Sequence, residues 1–305
     1  MFNAREPVEF LYFRYYIISV EDADFFINKG EEMPELPEVE TIGRALDRAL
    51  KGRGITGVEV FSPAMRTSLL PLKEAGLTGK KFTGVRRRGR YLLADISDGS
   101  LLLMHFGMSG VVRVESAAVP KRKHEHVFIH LDDGNAFRFE CTRRFSMLEL
   151  HQPDKDGIPA ALHHLGVEPL SSGFTGEMLF EAFSRRSGCV KNALMDNEIV
   201  TGIGNIYAAE ILFASGIDPR RSAAGVTGAE CEKIAAAARE ILQRAIECGG
   251  TTISDFRHVD GSEGKFAVNL RVYGKAGENC PRCRSVIECV RLGGRSSCFC
   301  PECQK

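Results

Sequence analysis

Four cysteines near the end of the chain, Cys280, Cys283, Cys300 and Cys303, form two Cys-x-x-Cys pairs separated by sixteen residues. Two such knuckles can set four thiolates tetrahedrally around one zinc ion, giving a closed structural site with no open position for catalysis. Arg291 and Arg295 fall in the hairpin expected between the knuckles, whose tip could meet a phosphate backbone. Cys289 and Cys298 lie in the same stretch and are expected to be bystanders. A zinc ribbon does not by itself specify DNA, since many serve only as clips.

Three further stretches carry residue types that could do chemistry. In "TGIGNIYAAEIL" (201–212), glycines lead into Asn205 at the start of a predicted helix. That arrangement suits an anion held by backbone N–H groups and the positive helix end, and it equally suits a tight turn between packed helices. "HFGMSG" and "CTRRFS" place Met108, Arg143 and Phe145 at the ends of predicted strands. Met and Phe there can be core, or with Arg143 they can form a wedge filling the gap left by an extruded base. The most patterned stretch, "EEMPELPEVET" (31–41), lies more than thirty residues into the chain, with Pro34, Glu35 and Glu38 just ahead of or entering a helix.

Those residues must be positioned by elements the sequence also outlines. With 305 residues, 44% hydrophobic and 26% charged, the chain is long enough for two domains with real cores. Its net charge of zero argues against a nucleic-acid binder, but residues 1–32 carry three basic and seven acidic side chains, leaving 37 basic and 33 acidic residues in the rest. Basic side chains cluster at Lys80–Arg90, a stripe that could face a phosphate backbone or simply water. Ten cysteines, four in metal-type spacing and six scattered, suit a reducing cytosol rather than a disulfide framework. The apolar run "FLYFRYYIISV" is interrupted by Arg14 and too short to span a bilayer, so neither membrane nor export signal is expected. Helical spacing over 38–51 predicts an amphipathic helix. Strand-like runs follow to about residue 150, with "SDGS" and "LDDGN" as hairpin turns, and predict an antiparallel sandwich. After "HQPDKDGIP", the stretches "TGEMLFEAFSRR", "NIYAAEILFASG" and "TGAECEKIAAAAREILQRAIECGG" read as helices, and a short-stranded, cysteine-rich tail begins near Lys265.

Taken together, "MPELPEVET", "HFGMSG", "RRF", "LMDN…GIGNIYAAE", "GGTT…DF" and the terminal cysteine pairs resemble the bacterial formamidopyrimidine-DNA glycosylase (Fpg, MutM) family, from Met33 to Lys305. The resemblance implies an α+β multidomain fold: an N-terminal β-sandwich with flanking helices (33–153), a helix-two-turn-helix domain (163–254) and a C-terminal zinc finger (265–305). It implies a bifunctional glycosylase and AP lyase of base excision repair that removes 8-oxoguanine and formamidopyrimidines and cuts the strand by β,δ-elimination. The implied cofactor is one structural zinc ion. The implied partner is double-stranded DNA bearing oxidised purines or abasic sites, met by a cytoplasmic, nucleoid-associated monomer.

By the same resemblance, the nucleophile is the secondary amine of an N-terminal proline, here Pro34. As an internal residue its nitrogen is a tertiary amide with no nucleophilic lone pair. Residues 1–32 are therefore expected to be a mis-assigned start, and Lys29–Glu32 can be encoded entirely in purine codons, as a ribosome-binding tract would be. Glu35 is implied as acid at the deoxyribose ring oxygen and Glu38 as a supporting carboxylate. Met108, Arg143 and Phe145 would enter the duplex, Asn205 and Arg295 would hold flanking phosphates, and Tyr273 would lie near the DNA. Residues 255–266 correspond to the loop over the flipped base. Two departures stand out: Arg90 replaces the family's usual lysine before "YLL", and "CTRRFS" replaces "DPRRFG". Arg90 can grip a phosphate but cannot serve as an amine. Alternatives are an endonuclease VIII-type enzyme acting on oxidised pyrimidines, disfavoured by "PELPE", and a non-catalytic lesion binder if residues 1–32 are retained. A zinc-ribbon DNA binder would leave Pro34 and Glu35 unexplained.

Overall fold

The structure, a computed structural model, describes residues 33–251 and 269–305. The expected extension over 1–32 and the loop at 255–266 lie outside the described residues. The chain opens with α1 (Leu36–Leu50), two residues earlier than periodicity suggested, because Pro37 is tolerated in a first turn that needs no N–H donor there. Next come β1 (Ile55–Val60), the short α2 (Leu70–Glu74), β2 (Phe82–Arg88), β3 (Tyr91–Ile96), β4 (Leu101–His105), β5 (Gly110–Ser116), β6 (Glu125–Leu131), β7 (Asn135–Cys141) and β8 (Met147–His151).

The strands form two four-stranded antiparallel sheets, β2-β3-β4-β8 and β1-β6-β7-β5. Their facing sides share a core of Leu92, Leu102, Met104, Ile129, Phe137 and Phe139, closed by Val39, Ile42 and Leu46 of α1. The alternate residues Leu93, Leu101 and Leu103 pack instead on Leu162 and Leu165, so β3 and β4 are buried on both faces. This accounts for their continuous apolar runs.

Two runs that read as unbroken strand in the sequence are each two strands, β4 with β5 and β7 with β8. In both, the chain leaves one sheet and joins the other. The connecting residues 106–109 and 142–146 pack together: a Cβ on Gly107, at φ +55°, would sit 2.7 Å from the Phe145 carbonyl oxygen. The basic stripe is also reassigned. Arg86 pairs with Asp95, Arg87 with Glu40 and Glu168, and Arg88 with Glu168 and the carbonyls of Leu165 and Gly166. Its central arginines therefore join the sandwich to the next domain.

That domain contains α3 (Gly176–Ser184), the unanticipated α4 (Val190–Leu194), α5 (Asn205–Ser215) and α6 (Gly228–Glu247). Helix α6 begins with a capping box between Thr227 and Glu230. Helix α5 is apolar around most of its circumference because it is central. Tyr207, Ala208, Ile211 and Leu212 pack on the helical core, while Ala209 and Phe213 enter the core of the C-terminal module. The module carries a two-stranded hairpin, β9 (Glu288–Leu292) and β10 (Arg295–Phe299), turning at Gly293 and Gly294. Cys289 and Cys298 are not bystanders: they stand opposite each other on β9 and β10 and form a disulfide. The other eight cysteines are not disulfide-bonded.

Candidate active site and nucleic-acid interface

Pro34 is half-buried immediately ahead of α1, where the Leu36 N–H donates to the Gly202 carbonyl at 3.0 Å. The next residue, Glu35, is 2% exposed. Its carboxylate accepts from the main-chain N–H groups of Gly204 at 2.6 Å, Ile206 at 2.9 Å and Tyr207 at 3.4 Å. The positive end of α5 is thus filled by an acidic side chain of the N-terminal domain. The main-chain donors of the Gly-rich turn, read from the sequence as facing a phosphate or as part of a tight turn, are taken by Glu35.

Glu38 is the second buried carboxylate. It accepts from the Glu35 N–H at 3.1 Å, the Tyr207 hydroxyl at 2.7 Å, and the Thr251 N–H and hydroxyl at 2.8 and 2.9 Å. Burial, followed by the neighbouring Glu38 charge, pushes the Tyr207 phenol well above its usual range, so it remains a donor. Arg90 donates from Nη2 to the Ile203 carbonyl at 2.8 Å. Arg90 Nη2 and Glu35 Oε1 both lie within 2.5 Å of the position a Gly204 Cβ would take, so glycine is required where guanidinium and carboxylate meet. Arg90 Nε is buried without a hydrogen-bond partner among the described residues.

Met108, Arg143 and Phe145 are brought together on the paired crossover loops rather than in the sandwich core. Phe145 is 56% exposed, Met108 and Arg143 are half-buried, and the Arg143 guanidinium lies 5.8 Å from the Phe145 ring centre. The Arg143 N–H donates to Ser109 Oγ at 3.3 Å, and Ser146 Oγ donates to the Phe106 carbonyl at 2.6 Å. Ser146 therefore pins one loop to the other. Beneath them, His105 Nδ1 accepts the Gly107 N–H at 3.1 Å. Burial, helped by the charges of Arg90 and Arg66, lowers His105 to about 4, so it is a neutral acceptor at physiological pH.

Asn205 opens α5 and accepts at Oδ1 from Lys191 Nζ at 2.6 Å. Lys191, only 1% exposed, also donates to Ser297 Oγ at 2.6 Å and the Ser296 carbonyl at 3.2 Å, linking α4, α5 and β10. Arg295 is exposed beside that link at the hairpin tip. Tyr273 is held through its N–H, which donates to Glu210 at 2.8 Å; Glu210 also accepts from the N–H groups of Arg271 and Val272. Sequence reasoning missed Lys191, Tyr207, Glu210 and Thr251. The available signal was Glu210, a charged residue inside the otherwise apolar middle of α5.

Cys280, Cys283, Cys300 and Cys303 place their sulfurs within 4.8 Å of one another, with 3.9 Å between Cys280 and Cys303 and 3.4 Å between Cys283 and Cys300. A tetrahedron of 2.3 Å zinc–sulfur bonds has edges of about 3.8 Å, so the donor set fits one zinc ion. Hydrogen bonds from Ser285 lower the Cys283 thiol to about 6, whereas burial followed by the crowding sulfurs raises Cys303 to about 12. Four thiolates can coexist here only around a cation. The zinc would tie the strand ends of the finger and supply no catalytic step.

The model of the formamidopyrimidine-DNA glycosylase N-terminal domain matches residues 33–148, that of the H2TH domain of the same enzymes matches 165–257, and that of the zinc finger found in FPG and IleRS matches 277–305. The chain belongs to the formamidopyrimidine-DNA glycosylase family. The glycosylase of Laribacter hongkongensis is 44% identical over 273 residues, covering 90% of this chain and all of the relative. That of Alteromonas mediterranea is 45% identical with the same coverage. Among solved structures, Lactococcus lactis Fpg bound to Fapy-dG containing DNA superimposes with a TM-score of 0.78 at 32% identity, covering 89% of this chain and all of that one. The same enzyme bound to DNA with an abasic site gives 0.79 at 32% identity, covering 89% and 99%. No helix among the described residues is long and apolar enough to cross a membrane.

Proposed function

We propose that this family member is a bifunctional glycosylase and AP lyase of base excision repair. It excises 8-oxoguanine and formamidopyrimidines with the amine of Pro34, set free when synthesis starts at Met33 and that methionine is removed. The observation that carries this reading is the buried Glu35 carboxylate, adjacent in the chain to Pro34 and held by three main-chain donors at the head of α5. The Lactococcus lactis complexes with Fapy-dG and abasic DNA add support for the substrate class.

The Pro34 amine attacks C1′, and the damaged base leaves with the electron pair of the broken glycosidic bond and takes a proton from water. The nitrogen, now carrying an extra proton, passes it to Glu35, and Glu35 delivers it to the ring oxygen, opening the sugar to an iminium. As an acceptor of N–H bonds, Glu35 is arranged to take this proton before giving it. Arg90 occupies the lysine position and serves as a fixed cation beside Glu35, oriented toward the backbone phosphate. Met108, Arg143 and Phe145 form the wedge, with Arg143 facing the orphaned cytosine. Asn205 and Arg295 hold the flanking phosphates, and Tyr273 borders the DNA.

Borohydride trapping tests the proposal. Protein beginning at Pro34 forms a reducible covalent complex with duplex containing 8-oxoguanine opposite cytosine, and protein retaining residues 1–33 does not. Equal trapping by both, with the extension intact by mass, would sink the proline-amine mechanism. Preference for oxidised pyrimidines on the same duplex panel would move the chain to the endonuclease VIII-type reading.

A further inference from the structure

Cys289 and Cys298 are partners in the β9–β10 ladder, with Cα atoms 4.1 Å apart and their sulfurs joined. We propose that they form a reversible thiol–disulfide site, closed by small-molecule disulfides such as glutathione disulfide, that sets the grip of the finger hairpin on DNA. The grip half of this inference rests on the DNA-binding reading above.

The bond is poorly placed to be a staple. It spans nine residues, and the stabilisation gained by cross-linking grows with loop length. It is better placed to be switched. Cys289 is exposed, whereas Cys298 is 5% exposed and packs with Phe213, Val272 and Ile287. The accessible Cys289 sulfur attacks one sulfur of the small disulfide, forming a mixed disulfide and releasing one thiol. Cys298 then attacks the Cys289 sulfur and releases the second thiol. Two protein thiols are oxidised, one small disulfide is reduced to two thiols, and both protons leave with them.

The pair is wired to the interface through its neighbours. Cys289 Sγ lies 3.4 Å from Ser296 Oγ. The Ser296 carbonyl and Ser297 Oγ are the two β10 acceptors of Lys191, which also holds Asn205. Arg295 directly precedes them, and Gly293 at the turn packs so tightly on Asn192 that a Cβ would come within 2.8 Å of it. Joining residues 289 and 298 fixes the strand on which Lys191 and Arg295 depend. Reduction leaves that ordering to be done on binding.

The test uses full-length, zinc-loaded protein equilibrated with reduced or oxidised glutathione. After denaturation and metal chelation, alkylation and mass spectrometry count ten thiols in the reduced form and eight in the oxidised form. Zinc content before denaturation is the same in both. Fluorescence anisotropy with a duplex carrying a stable abasic analogue gives about threefold to tenfold tighter binding by the oxidised form, the scale expected from pre-ordering one or two interface side chains. Cys289→Ser binds like the reduced protein under both conditions. Ten thiols after oxidation, zinc release preceding bond formation, or equal affinity of the two forms would each overturn the inference. No binding by either form would instead overturn the DNA-binding reading and the grip half with it, while the thiol count still judges the disulfide.

Discussion

Gly204→Ala isolates the point where Arg90 and Glu35 meet. The glycine has φ −123° and ψ −154°, an extended conformation open to alanine, so the substitution carries no penalty of backbone handedness. The added methyl would lie 2.4 Å from Glu35 Cδ and Oε1 and 2.5 Å from Arg90 Nη2, where ordinary contact begins at 3.4 Å. The carboxylate must therefore shift by about 1 Å, enough to stretch a 2.6 Å bond to about 3.6 Å, beyond hydrogen-bonding range. Overpacking of this kind costs about 2 kcal/mol, or a melting temperature lowered by about 4–8 °C. Misplacing a catalytic group by about 1 Å costs about 100-fold in rate. Single-turnover excision of 8-oxoguanine by protein starting at Pro34, with thermal unfolding on the same preparation, reads both quantities. A folded variant that excises at the wild-type rate would refute the role given to Glu35 and Arg90. So would a variant whose activity falls only in step with its folded fraction.

Three further outcomes are expected. Cys283→Ser releases zinc, read by metal analysis, and weakens duplex binding by about tenfold or more, because the finger's fold depends on the metal; normal binding without zinc would show the module misread. Arg143→Ala changes stability by about 0.5 kcal/mol and lowers 8-oxoguanine excision by about tenfold while sparing cleavage at a pre-formed abasic site, where no base remains to be flipped; a low melting temperature with normal excision per folded molecule would make Arg143 structural. His105 falls from 6.5 to about 4 on folding, so the unfolded chain takes the proton first and stability drops as pH falls from 6.5 through about 4, by about 3 kcal/mol in all. His105→Gln flattens that part of the pH–stability profile, and an unchanged profile would contradict the burial argument.

The zinc ligands, the sandwich and the long helices were legible because each is written locally, in spacing, periodicity or turn residues. The central arginines of the basic stripe were not. Arg86, Arg87 and Arg88 looked like a face for phosphate or for water until Glu40, Asp95 and Glu168 met them, and two of those acids come from elsewhere in the fold. Lys191 was hidden for the opposite reason: a lysine in a five-residue helix is expected in water, and only the arrival of β10 explains its burial. The resemblance supplied Pro34 and Glu35. It could not supply Glu35's position at the head of α5, which joins residues separated by most of the chain. The Cys289–Cys298 pairing depends on strand register, which two isolated cysteines do not announce.

The spacing of the buried carboxylates also bears on how the protein is made. Glu35 meets its main-chain donors across 169 to 172 residues, and Glu38 meets Thr251 across 213. Synthesis proceeds from the N-terminus, so Pro34 and Glu35 leave the ribosome while α5 and Thr251 have yet to be translated. The sandwich can form first from its own hairpins, but its carboxylates lack their donors until the last third of the chain closes these long loops. A fragment stalled or cut before residue 204 carries Pro34 and Glu35 without the head of α5 that holds the Glu35 carboxylate. Under the proposed function, placing Pro34 first and the supports of Glu35 last would keep the strand-cutting chemistry from fragments that end before α5.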